Sequence, residues 1–96
     1  MSVELRSYVG GKWQDGGRPS QDRNPAQPSE VVGDVRLADA HLASEAVDAA
    51  AAAFPAWRSL PPPARGDILR KAADLLEQRA PDVGRDLTRE EGKTLA

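Results

Sequence analysis

The side chains that could do chemistry in this chain are few and do not converge. The 96 residues include one histidine, His41, and no cysteine, which excludes disulfides, thiolate metal sites and thiol catalysis within them. No second histidine and no carboxylate cluster stands at ligand spacing from His41. We therefore interpret it as a solvated side chain in the first turn of a helix.

The tripeptide Gly92-Lys93-Thr94 matches the end of a phosphate-binding loop, which closes on Gly-Lys-Ser/Thr. That motif also needs a glycine five positions before Gly92, and the residue there is Leu87. A helical pattern precedes the tripeptide, whereas a phosphate loop follows a strand. We therefore reject a nucleotide-phosphate site at this position.

The glycines near the N-terminus offer another candidate phosphate cradle. They are Gly10, Gly11, Gly16 and Gly17. No helix N-terminus follows them to complete an anion site. The Gly10-Gly11 pair fits better as the two-residue turn of a β-hairpin, because such turns need positive φ.

The carboxylates do not form an acid–base pair. Glu90 and Glu91 are adjacent, so on a helix they point about 100° apart. Asp82 and Asp86 share a face, but a charged helix face is normally solvated. No serine stands in a recognisable arrangement with a histidine and an acid, and no Gly-x-Gly-x-x-Gly follows a strand. We expect no catalytic, cofactor-binding or metal-ligating residue in this chain.

Composition points to regular local structure with little material for a core. Hydrophobic residues make up 40% of the chain, but 16 of those 38 are alanine. Leucine, isoleucine, valine and phenylalanine number 18, just under the roughly 20% below which disorder becomes plausible. A net charge of −2 argues against repulsive disorder. We expect a chain that lacks a robust core of its own.

Composition also excludes several partners. A pI near 5.3 and the lack of a basic run argue against nucleic acid. No run of about 18 apolar residues and no signal-peptide core are present, so we expect no membrane span and a cytoplasmic location.

Residues 1–37 are predicted to form a β-hairpin and an extended segment. Arg6–Val9 and Lys12–Asp15 flank the glycine turn, which places Tyr8 opposite Trp13. A second β-rich run, Glu30–Arg36, follows polar turns and contains a central glycine at position 33 that predicts a bulge or bend.

Residues 38–96 read as helical, with Asp39 as the first N-cap. A thin, alanine-rich helix begins near Leu42, and Pro55 is predicted to end it, so that Trp57 can fold back onto its apolar face. Pro63 suits the first turn of a second helix, whose apolar face is the predicted neighbour of the first helix. That face carries Ile68, Leu69, Ala72, Leu75 and Leu76.

A third helix is predicted from Pro81 to Glu91, with Gly92 as its C-terminal cap. Thr94 resembles an N-cap with no helix to follow, so we expect the natural chain to continue. The fold class is thus an α+β fragment: a hairpin and a short strand, then two to three helices.

An ordered set of short motifs resembles the N-terminal portion of the aldehyde dehydrogenase family. The motifs are Tyr8–Trp13 (YVGGKW), Asn24–Ala26 (NPA), Glu30–Gly33 (EVVG), Ala53–Arg58 (AFPAWR), Arg65–Leu69 (RGDIL), Ala73–Arg79 (ADLLEQR) and Leu87–Ala96 (LTREEGKTLA). Each is weak alone, but their order and spacing are specific from about Arg6 onward. Pro81 and Gly84 depart from the family pattern and suggest a short or bent third helix.

The resemblance implies an oxidoreductase that converts an aldehyde to a carboxylic acid with NAD or NADP. In the family a cysteine is the nucleophile and a glutamate activates the hydrolytic water, and both lie beyond the matched region. The segment would open the α/β cofactor-binding domain of a homo-oligomeric parent that acts on a small aldehyde, and neither NAD nor NADP would bind it alone. Among branches it most resembles the semialdehyde oxidisers, such as 2-oxoglutarate semialdehyde dehydrogenase.

Some family members bind a structural cation near positions matching Asp22 and Arg23, but the other ligands are missing and we assign no site. The alternative interpretation is a small, freestanding helical protein-interaction module that uses the alanine-rich face as a docking groove. The first interpretation predicts an inactive 96-residue chain, and the second predicts a cooperative unfolding transition.

Overall fold

The computed structural model describes residues 3–95. Within that range the chain forms five strands followed by three helices, as the α+β expectation required. The strands are β1 (Val3–Leu5), β2 (Ser7–Val9), β3 (Lys12–Gln14), β4 (Pro19–Arg23) and β5 (Val31–Arg36). The helices are α1 (Ala40–Ser59), α2 (Pro62–Gln78) and α3 (Ala80–Glu91).

The predicted hairpin is confirmed in its turn and its register. β2 and β3 are antiparallel, with Tyr8 opposite Trp13 and Val9 opposite Lys12. The turn glycines Gly10 and Gly11 have φ values of 57° and 81°. The Tyr8 and Trp13 rings lie 4.9 Å apart between centroids at an interplanar angle of 56°, a tilted pair of the kind that stabilises one face of a hairpin.

The three-stranded sheet contains two strands that the sequence did not predict. Its order is β1-β5-β4, with β1 parallel and β4 antiparallel to β5. The predicted hairpin and short strand therefore omit part of the sheet, because Val3–Leu5 also forms a strand and pairs with β5. β4 was missed because its sequence, PSQDR, has no apolar alternation; it begins with proline and lies at a sheet edge, where polar residues are tolerated.

The bulge predicted around Gly33 is present. Asp22 pairs with Gly33, and the next residue, Arg23, pairs with Val31. Val32 is therefore the extra residue on β5, directly beside Gly33, and Gly33 itself is buried. An extra residue of this kind locally interrupts the ladder of hydrogen bonds between two strands.

Helix α1 runs through Pro55, so the predicted break is wrong. Proline removes one helical hydrogen bond, the one that would reach the carbonyl of Ala51. Residues 51–60 are all exposed, so water can satisfy that carbonyl. The Ser59 hydroxyl donates to the Pro55 carbonyl at 2.8 Å, and alanines on both sides favour helical geometry. Trp57 consequently lies within the helix and does not fold back.

Asp39 caps α1 as predicted, since its side-chain Oδ1 accepts from the Leu42 amide at 2.8 Å. We expect Asp39→Ala to lower the free energy of unfolding by about 1 kcal/mol, because that amide loses its acceptor. Urea denaturation measures the change. Asp39→Asn keeps an acceptor of the same size and is expected to cost less. Equal losses for the two variants would show that the cap bond contributes nothing.

The second and third helices match the predicted boundaries closely. Pro62 and Pro63 occupy the first positions of α2, and α3 ends at Glu91 with Gly92 in the left-handed region. Arg79 alone separates α2 from α3. The predicted packing of α2 on α1 is wrong: α1 packs against β2, whereas α2 packs against α3, which also contacts β4 and β5.

The molecule is extended and nearly coreless. Among the described residues Leu42 is the one buried hydrophobic side chain, at 5% exposure. The radius of gyration is 16.9 Å, against about 12.5 Å expected for a compact domain of this length. The shortage of large apolar residues in the sequence therefore appears directly as a shortage of buried ones.

Candidate functional site

The lone histidine lies on the surface, beside a single carboxylate. His41 is 83% exposed in the first turn of α1, as predicted, and its Nε2 lies 3.3 Å from Glu45 Oε1. No group of three or more potential metal-ligating side chains occurs among residues 3–95. The arrangement is a surface pair one helical turn apart.

The Gly-Lys-Thr tripeptide follows a helix and not a strand, as its sequence context indicated. Gly92 closes α3 with φ 76°, and its amide donates to the Thr88 carbonyl at 2.8 Å. Lys93 Nζ lies 3.4 Å from Glu91 Oε2. Glycine here therefore ends a helix, the opposite of the geometry that holds phosphate at a helix N-terminus.

The acidic residues of α3 form local ion pairs on an exposed surface. Asp82 lies 3.5 Å from Arg85, and Asp86 lies 3.8 Å from Arg89. The two aspartate side chains are 81% and 71% exposed. Such exposed pairs contribute little to stability.

A polar cluster that the sequence did not reveal joins α3 to the sheet. Arg89 Nε donates to Glu30 Oε1 at 2.7 Å, and Asn24 Nδ2 donates to Glu30 Oε2 at 2.8 Å. The Arg89 and Glu30 side chains are only 24% and 30% exposed. Both carboxylate oxygens are thus engaged, and the pair bridges 59 positions of sequence, which no local pattern could signal.

The hydrogen bonds of this cluster change the pKa of the Glu30 carboxyl. The hydrogen bond from Asn24 and then that from Arg89 hold the pKa of the Glu30 carboxyl below its ordinary value of 4.5. A carboxyl whose pKa is lower in the folded state than in the unfolded state stabilises the fold. That stabilisation is fully present at pH values above the unfolded-state pKa. That contribution is lost as the pH falls through the lowered folded pKa.

We therefore expect the stability difference between wild type and Glu30→Gln to be largest at neutral pH and to shrink below pH 4.5. Urea denaturation of both proteins across this range measures the difference. Glu90→Gln, which removes an exposed carboxylate next to Arg89 on α3, is the matched control and should change little at either pH. A difference that is constant with pH would contradict a role for the ionised carboxylate.

A shallow groove runs between the hairpin and α1. It is lined by Tyr8, Val9, Gly10, Ala46, Ala49, Ala50 and Ala53. The alanines let the hairpin approach the helix closely, and Gly10 lies opposite Ala49. The groove is open and apolar and contains no ionisable side chain other than the Tyr8 phenol.

Helix α2 carries four exposed large apolar side chains. Its predicted inward-facing residues are Ile68, Leu69, Leu75 and Leu76, and they are 49%, 63%, 49% and 58% exposed. Phe54 and Val47 of α1 are exposed as well, at 57% and 69%. The candidate functional features among the described residues are therefore surfaces for packing. No helix in the described range is long and apolar enough to cross a membrane.

Comparison with known proteins shows which solved fold the described chain resembles. The chain matches a crystal structure from Sinorhizobium meliloti, of a protein assigned as a methylmalonate-semialdehyde dehydrogenase complexed with NAD. The TM-score is 0.85 at 37% identity, and the match covers 99% of this chain and 20% of that one. The fold is thus that of one portion of a dehydrogenase.

Comparison of the sequence with protein-family models shows the family to which the chain belongs. The family model for the aldehyde dehydrogenase family matches residues 13–96, so the chain belongs to the aldehyde dehydrogenase family. It is 46% identical over 95 residues to an alpha-ketoglutarate semialdehyde dehydrogenase of Haloferax volcanii. It is 42% identical over 94 residues to a 2,5-dioxopentanoate dehydrogenase of Saccharolobus solfataricus. The resemblance drawn from the ordered motifs is confirmed.

These matches cover most of this chain and little of its relatives. They span 97% and 95% of its residues but only 20% of each relative. The chain therefore spans about a fifth of the length of the curated relatives it matches.

Proposed function

We propose that this chain is the N-terminal part of an NAD(P)-dependent dehydrogenase that oxidises a semialdehyde to a carboxylic acid. The observation that carries the proposal is the match over nearly the whole chain to relatives that act on semialdehydes. A malonate-semialdehyde dehydrogenase of Pseudomonas aeruginosa matches at 42% identity as well. The alternative, a freestanding helical interaction module, finds no support among these relatives.

The chain's own residues do not fit a dinucleotide. No strand in the described range leads through a glycine-rich turn into a helix N-terminus, which is how a pyrophosphate is held. The glycine pair of the hairpin is followed by a strand, and Gly92 ends a helix. We therefore assign NAD or NADP to the remainder of the parent protein, and assign no catalytic, cofactor-binding or metal-binding residue to this chain.

The role of the segment is structural support for that cofactor domain. Residues 1–37 supply the hairpin and all three strands of the small sheet, and residues 38–96 supply the three helices. The Glu30–Arg89 pair fixes the last helix on the sheet, so that the chain leaves α3 in a defined direction at Gly92. We propose that the parent works as a homo-oligomer in the cytoplasm on a small-molecule aldehyde.

Expression of the complete coding frame tests this proposal. The parent protein is expected to reduce NAD or NADP with alpha-ketoglutarate, malonate or glutarate semialdehyde, whereas residues 1–96 alone are expected to reduce neither. A parent that oxidised none of these aldehydes would contradict the proposed substrate class. Turnover by residues 1–96 alone would contradict the assignment of catalysis to the remainder.

A further inference from the structure

The hairpin and the three-stranded sheet are joined at a single residue. β1 ends at Leu5 and pairs with β5, whereas β2 begins at Ser7 and pairs with β3. Arg6 is therefore the one residue between a strand of the sheet and the first strand of the hairpin. The second connection, residues 15–18, is also short. The angle between the hairpin and the sheet is thus decided within these two links.

The Arg6 guanidinium bridges both links. Its Nε lies 3.0 Å from Asp15 Oδ1, at the first residue after β3, and its Nη2 donates to Glu4 Oε2 at 3.2 Å on β1. Glu4 Oε1 in turn lies 3.9 Å from Arg36 Nε on β5. The charges alternate in sign along these contacts, which run from the hairpin through β1 to the central strand of the sheet. We name Asp15, Arg6, Glu4 and Arg36 the joint network.

The strand registers bring the members of the joint network together. Because Ser7 pairs with Gln14, positions 6 and 15 stand directly beyond the last pair of the hairpin ladder. An isolated exposed ion pair contributes little to stability, but several charges in a network contribute more. The Arg6 side chain is 39% exposed and is shared between two carboxylates. The joint network is therefore the kind of surface electrostatics that can hold a conformation.

Little else fixes the hairpin on α1. Among residues 3–95, no hydrogen bond or ion pair joins the strands of the hairpin to this helix. An open apolar groove lies between Tyr8 and Val9 on one side and the alanines of α1 on the other. At the hairpin tip, a Cβ on Gly10 would lie 3.9 Å from the Ala49 Cβ. A swing of the hairpin at Arg6 would therefore open or close the groove.

We infer that Arg6 is a positioning residue that holds the hairpin as a strap against α1. Through the joint network it fixes the angle of the hairpin to the sheet and thereby keeps the hairpin tip beside Ala49. Screening weakens such a network, because the Debye length falls from about 10 Å at 0.1 M salt to about 3 Å at 1 M. Closure of the strap consequently depends on ionic strength. This role concerns the conformation of the chain itself and does not depend on aldehyde oxidation.

A disulfide between the hairpin tip and α1 measures closure of the strap. The Cβ separation of 3.9 Å suits a disulfide, so the double variant Gly10→Cys/Ala49→Cys can form one. The chain has no cysteine of its own, so peptides from this segment report only that pair. The protein expressed from the complete coding frame is equilibrated in glutathione buffers, and mass spectrometry gives the effective concentration of the two thiols. The cost of a side chain at φ 57° is common to every variant in this background and cancels in their ratios.

In this background Arg6→Gln is expected to lower the effective concentration about threefold to tenfold at 0.1 M salt. Arg6→Lys keeps the charge and is expected to lower it less. Raising the salt to 1 M should lower the value about threefold when Arg6 is present and leave Arg6→Gln unchanged. Arg70→Gln removes the exposed pair with Asp67 on α2 and is the matched control, which should change nothing.

Equal effective concentrations for the Arg6 and Arg6→Gln proteins would overturn the inference. A loss of the same size at both salt concentrations would overturn it as well, because packing of the arginine stem and not its charge would then hold the hairpin. Circular dichroism and thermal unfolding check that each variant folds. If Arg6→Gln does not fold, Asp15→Asn replaces it, since it removes the carboxylate on the hairpin side and predicts the same salt-dependent loss.

Discussion

Gly17→Ala is expected to lower the free energy of unfolding by about 3 kcal/mol. Gly17 has φ 78°, a conformation that costs an L-residue about 1–2 kcal/mol. A Cβ at this position would overlap the carbonyl oxygen of Leu37 and stand 2.6 Å from its carbonyl carbon. Forcing that backbone aside adds about 1–3 kcal/mol. The affected link joins β5 to the N-cap of α1, so the damage spreads to Asp39.

Gly11→Ala separates the cost of the left-handed backbone conformation from the cost of the steric overlap with Leu37. Gly11 has φ 81°, nearly the same as Gly17, but a Cβ there meets nothing within 4 Å. This variant is expected to lose only about 1 kcal/mol, the cost of the backbone conformation. Urea denaturation gives both values, and hydrogen exchange at the Leu37 amide, which donates to Arg18 at 3.0 Å, gives the local effect. Equal losses at the two glycines would show that the approach to Leu37 is unimportant.

Features that depend on neighbouring residues were predictable from the sequence. The glycine turn fixed the hairpin register, so that Tyr8 faces Trp13. Asp39 and Gly92 marked the start of α1 and the end of α3 because capping depends on side chains within one turn. The position of Pro63 likewise predicted the first turn of α2.

Features that depend on distant contacts were not predictable. β1 pairs in parallel with a strand almost thirty positions later, and β4 forms without an apolar pattern because β5 supplies its hydrogen-bond partners. The low helix propensity of Pro55 was outweighed by the helix-forming residues on both sides of it, so α1 continues through this position. The contact of Arg89 with Glu30 Oε1 leaves no local trace in the sequence, because the two residues are 59 positions apart.

In the candidate site, too, local features were predictable from the sequence and distant contacts were not. Periodicity correctly identified which α2 residues share a face, but the choice of α1 as its neighbour was wrong. Periodicity specifies a surface that must be covered, and only the tertiary structure specifies what covers it. The motifs identified the family because their order reflects a whole segment, even though no single motif carries chemistry.

Leu42→Ala is the second large prediction, with an expected loss of about 3 kcal/mol. Leu42 is 5% exposed and is the one buried hydrophobic side chain among residues 4–95. It packs against Gly16, where an added Cβ would overlap the Leu42 Cδ2 and stand 3.4 Å from the Leu42 Cβ. Truncating a buried leucine removes transfer energy and leaves a cavity, which together cost about 2–5 kcal/mol. The loss would detach α1 from the segment that follows the hairpin.

Val47→Ala is the matched control, since Val47 lies on the same helix at 69% exposure and should change stability by less than about 0.5 kcal/mol. Urea denaturation compares the two, and hydrogen exchange at the Ala43 amide, bonded to the Asp39 carbonyl at 3.0 Å, reports the start of α1. Leu42→Ala should accelerate that exchange and Val47→Ala should not. Similar stability losses for both variants would mean that α1 is held by its exposed face, because burial of Leu42 would then count for no more than a surface contact.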